Sequence, residues 1–368
     1  MWRRRDGVLS RRDTLRTLGG VLTLTAGRET ILEAPRPSPS ELVGVLEGSR
    51  GSPVSVDEIE QTTQRVLKHG ADVHPTRKVV TNNTRAEQRT LEQALNNPKE
   101  IVAYGIAWTN ETPEIVVHRL PRETLTSEAA PPIQRIHDEL AAFADPSNPD
   151  RVSTNASTSD GWKPLGAVSE SSWVYGGPDG ETRFGQLRHT TEAYRSTTER
   201  KSQTDDYAVT QTGETRPACD NNWGNGAINA GTRQVQDWGR SELTPVDHLD
   251  HQPTTDVTGT IDTRLSSSYG GGSITVDTES PWITRDVDYV VEEQARTQYS
   301  YPLHLAPFAG GARRSNCTHE QIGVWRTDPI SSDSADITAS YYFGKFRNRG
   351  GVSYADNTFT LLTLNELQ

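Results

Sequence analysis

Residues 246–251 read VDHLDH, which sets Asp247, His248, Asp250 and His251 side by side. Two imidazoles and two carboxylates are ligands that zinc or another divalent ion accepts, and the chemistry they would support is metal-assisted hydrolysis. The competing reading is a solvated polar loop before Pro253, because only part of such a cluster can point inward from a loop or strand. Two other acid pairs, Asp205–Asp206 and Glu292–Glu293, are adjacent in sequence. On a strand adjacent residues face opposite ways, so neither pair can share a substrate and both read as surface charge. The chain has no G-x-S-x-G elbow, Walker loop, HExxH or CxxC pair. The glycines between Trp223 and Gly231 lack dinucleotide spacing. No catalytic residue and no cofactor is expected, and His248, His251, Asp247 and Asp250 are kept only as weak metal candidates.

The elements that must position these groups divide the chain in two. Ser55 and Glu58 form a capping box that opens a helix running to His69 and stopping at Gly70, and Thr84 and Glu87 form a second box for a helix ending before Pro98. The runs 101–108 and 114–120 are rich in β formers and joined by a turn, which predicts a hairpin. A further helix follows the prolines at 131–132, with Ile133, Ile136 and Leu140 on one side. This is an α+β module over 55–144, reached through a Pro/Ser-rich linker at 37–54. A polar linker spans 145–161, and beyond it the composition turns to Thr, Ser, Gly, Trp and Tyr. Short β-like runs recur from 162 to 362, which predicts an all-β antiparallel sandwich over 162–368. Its tryptophans are expected mostly in the core, with a few at a rim able to meet glycans or lipid headgroups.

The strictest alternation lies at 254–282. Val257, Gly259, Ile261, Thr263 and Leu265 share one face of a first arm, Ile274 and Val276 one face of a second, and Ser267 to Gly272 form the turn. The apolar side meets either the core of a soluble sandwich or the hydrocarbon of a membrane. The first arm, Asp256–Ser266, is as long as the roughly 9–11 residues a membrane-crossing strand needs.

Composition bears on location. The 368 residues carry a net charge of −11 and only 32% hydrophobic residues, and Arg far outnumbers Lys. Low hydrophobicity with abundant acids suits a surface exposed to high salt, and the acidic balance argues against a nucleic-acid partner. Residues 1–36 run the other way, with 8 Arg against 4 acids. There Arg11–Arg12 precede a short apolar run from Leu18 to Ala26, which predicts a twin-arginine signal and export to the extracellular space. That run is too short to span a bilayer. In an exported chain the two cysteines, Cys219 and Cys317, read first as one disulfide, with two inert thiols as the alternative. Asn82, Asn110, Asn155 and Asn316 stand in N-x-[ST] sequons and are glycosylation candidates.

Two resemblances follow from these segments. The leader, GWKPLGAVSESSWVYGG, DDYAVTQTGETRPACDNNWGN, the hairpin and TQYSYP together resemble exported proteins of halophilic archaea, over about residues 160–368, a resemblance that carries no assigned activity. The order of a Gly/Ser/Thr-rich alternating hairpin, the strand SPWITRDVDYVVEE and an aromatic YSYP segment is similar to the leukocidin/hemolysin β-sandwich toxins. That resemblance implies a hairpin able to leave the sandwich and join a membrane barrel. The expected protein is thus secreted and non-catalytic, binding cell envelopes or other cells, with a leukocidin-like pore former as its sharpest form. Its partner is then an envelope, a membrane or a glycan surface, and it forms homo-oligomers only if it forms pores. An extracellular metal-dependent hydrolase and a structural or adhesion module are the alternatives.

Overall fold

The computed structural model describes residues 42–49, 51–73, 78–83, 85, 99–109, 112–122, 133–145, 156–158, 161–176, 182–197, 204–220, 226–238, 245–252, 264–269, 272–277, 288–292, 296–301, 314–328 and 334–366. The protein is mostly β. An eight-stranded sheet runs in the order β1 (Val43–Glu47), β3 (Lys99–Thr109), β4 (Thr112–Pro121), β6 (Trp162–Gly176), β7 (Thr182–Ser196), β8 (Asp205–Pro217), β15 (Cys317–Thr327) and β10 (Pro245–Gln252). Facing it is a six-stranded sheet of β13 (Asp288–Glu292), β14 (Arg296–Tyr301), β9 (Ile228–Asp237), β16 (Ser334–Arg347), β17 (Ser353–Glu366) and β2 (Lys78–Asn82). A small third sheet joins β11 (Arg264–Tyr269), β12 (Gly272–Asp277) and β5 (Ala156–Thr158).

The segments 55–144 and 162–368, expected as separate modules, share both large sheets. Strands β3 and β4 form the predicted hairpin, but β4 also pairs with β6 in parallel, Glu114 opposite Ala167 through Arg119 opposite Ser172. Strand β2 pairs with β17, Val80 opposite Leu364. The residues 145–161 therefore lie between two strands of one hydrogen-bonded sheet, β4 and β6, and Ala156–Thr158 within them make a strand of their own. The expected linker at 37–54 likewise contains β1, which pairs with β3.

Two helices cover the β1 end of the long sheet. Helix α1 (Val56–Val73) begins at the predicted capping box, with Ser55 N–H donating to Glu58 Oε2 at 2.9 Å and Glu58 N–H to Ser55 Oγ at 3.3 Å. It does not stop at Gly70. A Cβ there would lie 1.8 Å from the Trp108 indole, so the glycine gives the ring room, and Trp108 Nε1 donates to the Val66 carbonyl at 3.0 Å. Close packing, not termination, is the reason for this residue. Helix α2 (Ile133–Ala144) lies on the opposite face of the sheet, where Ile136, Leu140 and Phe143 pack with Val102, Val116 and Trp173. Among the described residues no helix is long and apolar enough to cross a membrane. The second capping box, at Thr84 and Glu87, lies outside the described residues apart from Arg85.

The layer between the two large sheets is unusually polar. Gln211, Gln234, Gln236, Thr191, Thr360 and Ser340 are all buried there. Such groups are stable in an interior only if hydrogen bonded. Thr191 and Thr360 meet at 3.0 Å, Gln211 Nε2 donates to the Tyr341 carbonyl at 2.7 Å, and Gln236 Nε2 to the Val209 carbonyl at 3.1 Å. His319 reaches Tyr342 Oη at 3.1 Å and Thr232 Oγ1 at 3.2 Å. Two ion pairs add to this layer. Arg119 meets Glu170 at 2.9 Å, both almost fully buried, and Glu170 also accepts the Phe359 N–H at 3.0 Å. Lys99 meets Asp356 at 2.8 Å and donates to Ser172 Oγ and the Asn357 carbonyl. Both clusters tie the long sheet to β17.

The expected disulfide is not formed. Cys317 is buried, with Sγ 3.9 Å from His319 Nε2, whereas the Cys219 thiol donates to the Arg314 carbonyl at 3.3 Å. The register explains this. Cys317 is opposite Thr215, while Cys219 lies four residues further on, in the turn beyond the end of β8. The two side chains leave the chain at different levels, and a disulfide needs Cα atoms within about 7 Å and converging Cβ vectors. Burial pushes the Cys219 thiol pKa up, which keeps it protonated.

Candidate functional site: a hairpin docked on the long sheet

The alternating segment does form a hairpin. Leu265 stands opposite Val276, Ser267 opposite Ile274 and Tyr269 opposite Gly272. The connection is tighter than expected, since Ser267–Tyr269 belong to the first strand and only Gly270 and Gly271 separate the paired ends. Two-residue connections rich in glycine suit the twist of a hairpin. The first-arm residues 256–263, with Val257 and Ile261, lie outside the described residues.

Among the described residues this hairpin pairs with itself and with β5, Ile274 opposite Thr158 and Val276 opposite Ala156. It lies on the face of the long sheet turned away from the six-stranded one. The seat is a small apolar patch, in which Ile274 (0% exposed) and Val276 (1%) pack with Trp162, Tyr194, Ala208, Ile322 and Val324. Side-chain packing, with no shared ladder, holds the hairpin to the long sheet among the described residues. Burying an Ile and a Val contributes about 1.5–3 kcal/mol each.

Beside the seat lies a buried acidic group. The register runs from Glu114 across Ala167 to Glu192 and on to Thr210. Glu192 is 4% exposed and accepts a short hydrogen bond from Tyr194 Oη. Burial raises its pKa to about 8, opposed by the hydrogen bonds of Tyr194 and Thr210 and reinforced by the charge of Glu114. At neutral pH Glu192 therefore keeps its proton. The Tyr194 ring is part of the hairpin's seat while its hydroxyl belongs to this polar pair, so the two features meet in one residue. A buried, protonated carboxyl can donate a hydrogen bond or store a proton, but enclosed like this it presents little surface to a substrate. Further toward α2 on the same face, burial lowers the His118 pKa to about 4, with Glu139 acting against the shift and Arg188 and His137 with it.

The other predicted residues are dispersed. Asp247, His248, Asp250 and His251 lie on β10, the edge strand, with bulges between Pro245 and Asp247 and between His248 and Asp250. His248 stands opposite Trp325 and His251 opposite Gly323, and the side chains of β10 lie outside the described residues. The segment is a strand, not the loop of the competing reading. Among the described residues no cluster of three or more His, Cys, Asp or Glu could hold a metal ion. Asp205 and Asp206 do face opposite ways, to Arg195 at 2.7 Å and Arg326 at 2.9 Å, but Asp206 is buried and not plain surface charge. Asn82 is on β2, and Asn316 just precedes β15, its N–H donating to Asp220. Asn110, Asn155, Arg11, Arg12, Trp223 and Trp282 lie outside the described residues. Trp162, Trp173, Trp238 and Trp325 are all buried, in the core role expected of most of these rings.

No family model and no curated protein matches the chain. Among solved structures, Clostridium perfringens delta-toxin is similar with a TM-score of 0.30 and 6% identity, covering 56% of this chain and 94% of the toxin chain. The collagen adhesin of S. aureus follows at a TM-score of 0.18 and 7% identity, covering 57% and 93%. Similarity at this level leaves function to the geometry.

Proposed function

We propose that the protein is a secreted, non-catalytic β-sandwich protein that binds cell surfaces, in the manner of a toxin or adhesin, and that the β11–β12 hairpin is the part that deploys. The observation that carries this reading is the hairpin's attachment. Among the described residues it rests on the long sheet through a small apolar seat and takes no place in either large ladder. Lifting it exposes a few side chains and breaks only the short β12–β5 ladder, whereas lifting a strand of the large sheets would break a long row of backbone hydrogen bonds. A lone hairpin is not viable in lipid, because its edge N–H and C=O groups would go unsatisfied, so a membrane role requires several copies closing a barrel. The test is dye release from lipid vesicles by the parent protein and by Ile274→Asp. The charge at this buried position ejects the hairpin from its seat. The expected result is release by the parent, none by the variant, cleavage of the variant near residue 270 by added protease, and near-parental circular dichroism. Global unfolding of Ile274→Asp together with no release by the parent would refute the deployable hairpin.

Export through the Arg11–Arg12 pair belongs to the same proposal, since a surface-binding role is exercised outside the cell. Changing both to Lys keeps the charge but removes the recognised pair. The expected outcome is precursor retained in the cytoplasm on a blot of fractionated cells; secretion at the parental level would show that a different route is used.

A further inference from the structure

The turn joining β16 and β17 carries a charge opposite to that of the whole protein. On β16 the residues Tyr342, Gly344 and Phe346 are buried toward the long sheet, so Phe343, Lys345 and Arg347 lie on the outer face. Arg233 of β9 stands opposite Phe343 and its guanidinium lies 5.6 Å from the ring centroid. Arg349 follows in the turn. Arg233, Lys345, Arg347 and Arg349 are all exposed, and none forms an ion pair among the described residues. The acids of the same three strands are elsewhere. Asp237, Asp336 and Glu366 lie toward the opposite end of the sheet, and Asp356 is engaged by Lys99 between the sheets. Three cations thus gather at the β16–β17 turn, with Arg233 further along the same outer face, in a chain whose net charge is −11.

On the flank of the turn stands Val352, 48% exposed, the one large apolar side chain exposed among the described residues. The turn presents it in a fixed form. Asn348 N–H donates to the Val352 carbonyl at 2.9 Å, Val352 N–H to Asn348 Oδ1 at 3.0 Å, and Gly351 takes a φ of 84°, open to glycine at little strain.

We propose that this tip, with Arg233, Lys345, Arg347, Arg349 and Val352, is a docking surface for the anionic headgroup plane of a lipid bilayer. Exposed cations with an exposed aliphatic group in the turn beside them match an interface that is negative at the headgroups and apolar just beneath. A dissolved polyanion rewards the arginines but gives nothing to Val352. The inference rests on the surface-binding function and names its target, and it concerns the opposite large sheet from the deploying hairpin.

The experiment is co-sedimentation of the full chain with vesicles of phosphatidylcholine alone or with about a third phosphatidylglycerol, at low and high salt. Expected is binding to the anionic vesicles only, weakened by salt. With each Arg near a charged surface worth roughly fivefold in partitioning, Arg347→Glu combined with Arg349→Glu lowers binding on the order of tenfold or more. Val352→Asp lowers it as well, while heparin in solution competes weakly. All three positions are exposed, so unchanged thermal midpoints are expected and confirm that folding is intact. Equal binding to both vesicle types, an unaffected double variant, or capture by heparin with no sedimentation overturns the proposal. Dye release separates it from the hairpin. Anionic binding without release leaves the docking tip standing and removes the pore, and release undiminished in the double variant does the reverse.

Discussion

Glu170→Ala lowers the stability of the protein by about 3–5 kcal/mol, read as a shift in the urea unfolding midpoint at constant slope. The carboxylate is buried between the two large sheets, pairs with Arg119 at 2.9 Å, and accepts the backbone N–H of Phe359 from the facing sheet. Removing it leaves a guanidinium that is 2% exposed without its counter-charge, and a main-chain donor without its acceptor. The cost arises from the stranded partner and not from the worth of the pair. Arg119→Met combined with Glu170→Leu therefore recovers much of the loss, because both charges go together and volume is kept. A single variant within about 1 kcal/mol of the parent, or a double variant no better than the single, would show that Arg119 finds another partner.

The second large effect is acid lability. Burial lowers the pKa of His189 and His319 to about 3 and of His118 to about 4, with a hydrogen bond that the His319 ring donates to the Gly213 backbone opposing the shift at His319. His189 and His319 flank the Tyr342 ring between the sheets, near Thr191, Thr232 and Cys317. As the pH falls from about 6.5, the unfolded chain takes up three protons that the folded one refuses, so each histidine removes about 1.4 kcal/mol of stability per pH unit. Glu192 works the other way. Its folded pKa of about 8 exceeds the unfolded value, so its contribution is full below about pH 4.5 and is lost as the pH rises toward 8. Between about pH 6.5 and 4.5 three histidines outweigh one glutamic acid, leaving a net loss of about 3 kcal/mol per unit of acidification. Above about 6.5 only Glu192 acts, and stability declines gently with rising pH. A series of unfolding curves should therefore peak near neutral pH and fall steeply on the acid side. His319→Gln should flatten the acid limb, and Glu192→Gln the alkaline one. A flat profile from pH 4.5 to 6.5 is incompatible with histidines that stay neutral in the fold.

Much of the architecture is legible from the chain. The capping box at Ser55 and Glu58 needs only local geometry, and it opens α1 where expected. Within the described residues the runs from 162 to 362 lie in strands because their period of two survives any partner, and the run at 162–176 coincides with β6. What the period leaves open is which face turns inward. In β9 the sequence Gln234-Val235-Gln236 suggests an apolar side and a wet one, yet all three are buried, with both glutamines facing the long sheet. Partners for such side chains come from strands far away in the chain, as Glu170 meets Phe359, so nothing near Glu170 announces the contact. The same holds for Gly70, which reads as a helix stop until the Trp108 ring is placed against it.

The candidate site divides along the same line. Local sequence determines that 264–277 is a hairpin with Ile274 and Val276 on one face, because alternation and a Gly-rich turn are short-range properties. Only the tertiary structure decides that this face meets Trp162, Tyr194 and Ile322, drawn from three different strands, and that the described residues of the hairpin stay outside the large ladders. The cysteines show the converse. Two thiols in one chain suggest a bond, but register sets Cys317 opposite Thr215 and leaves Cys219 beyond the strand end, and geometry alone settles whether two sulfurs can meet.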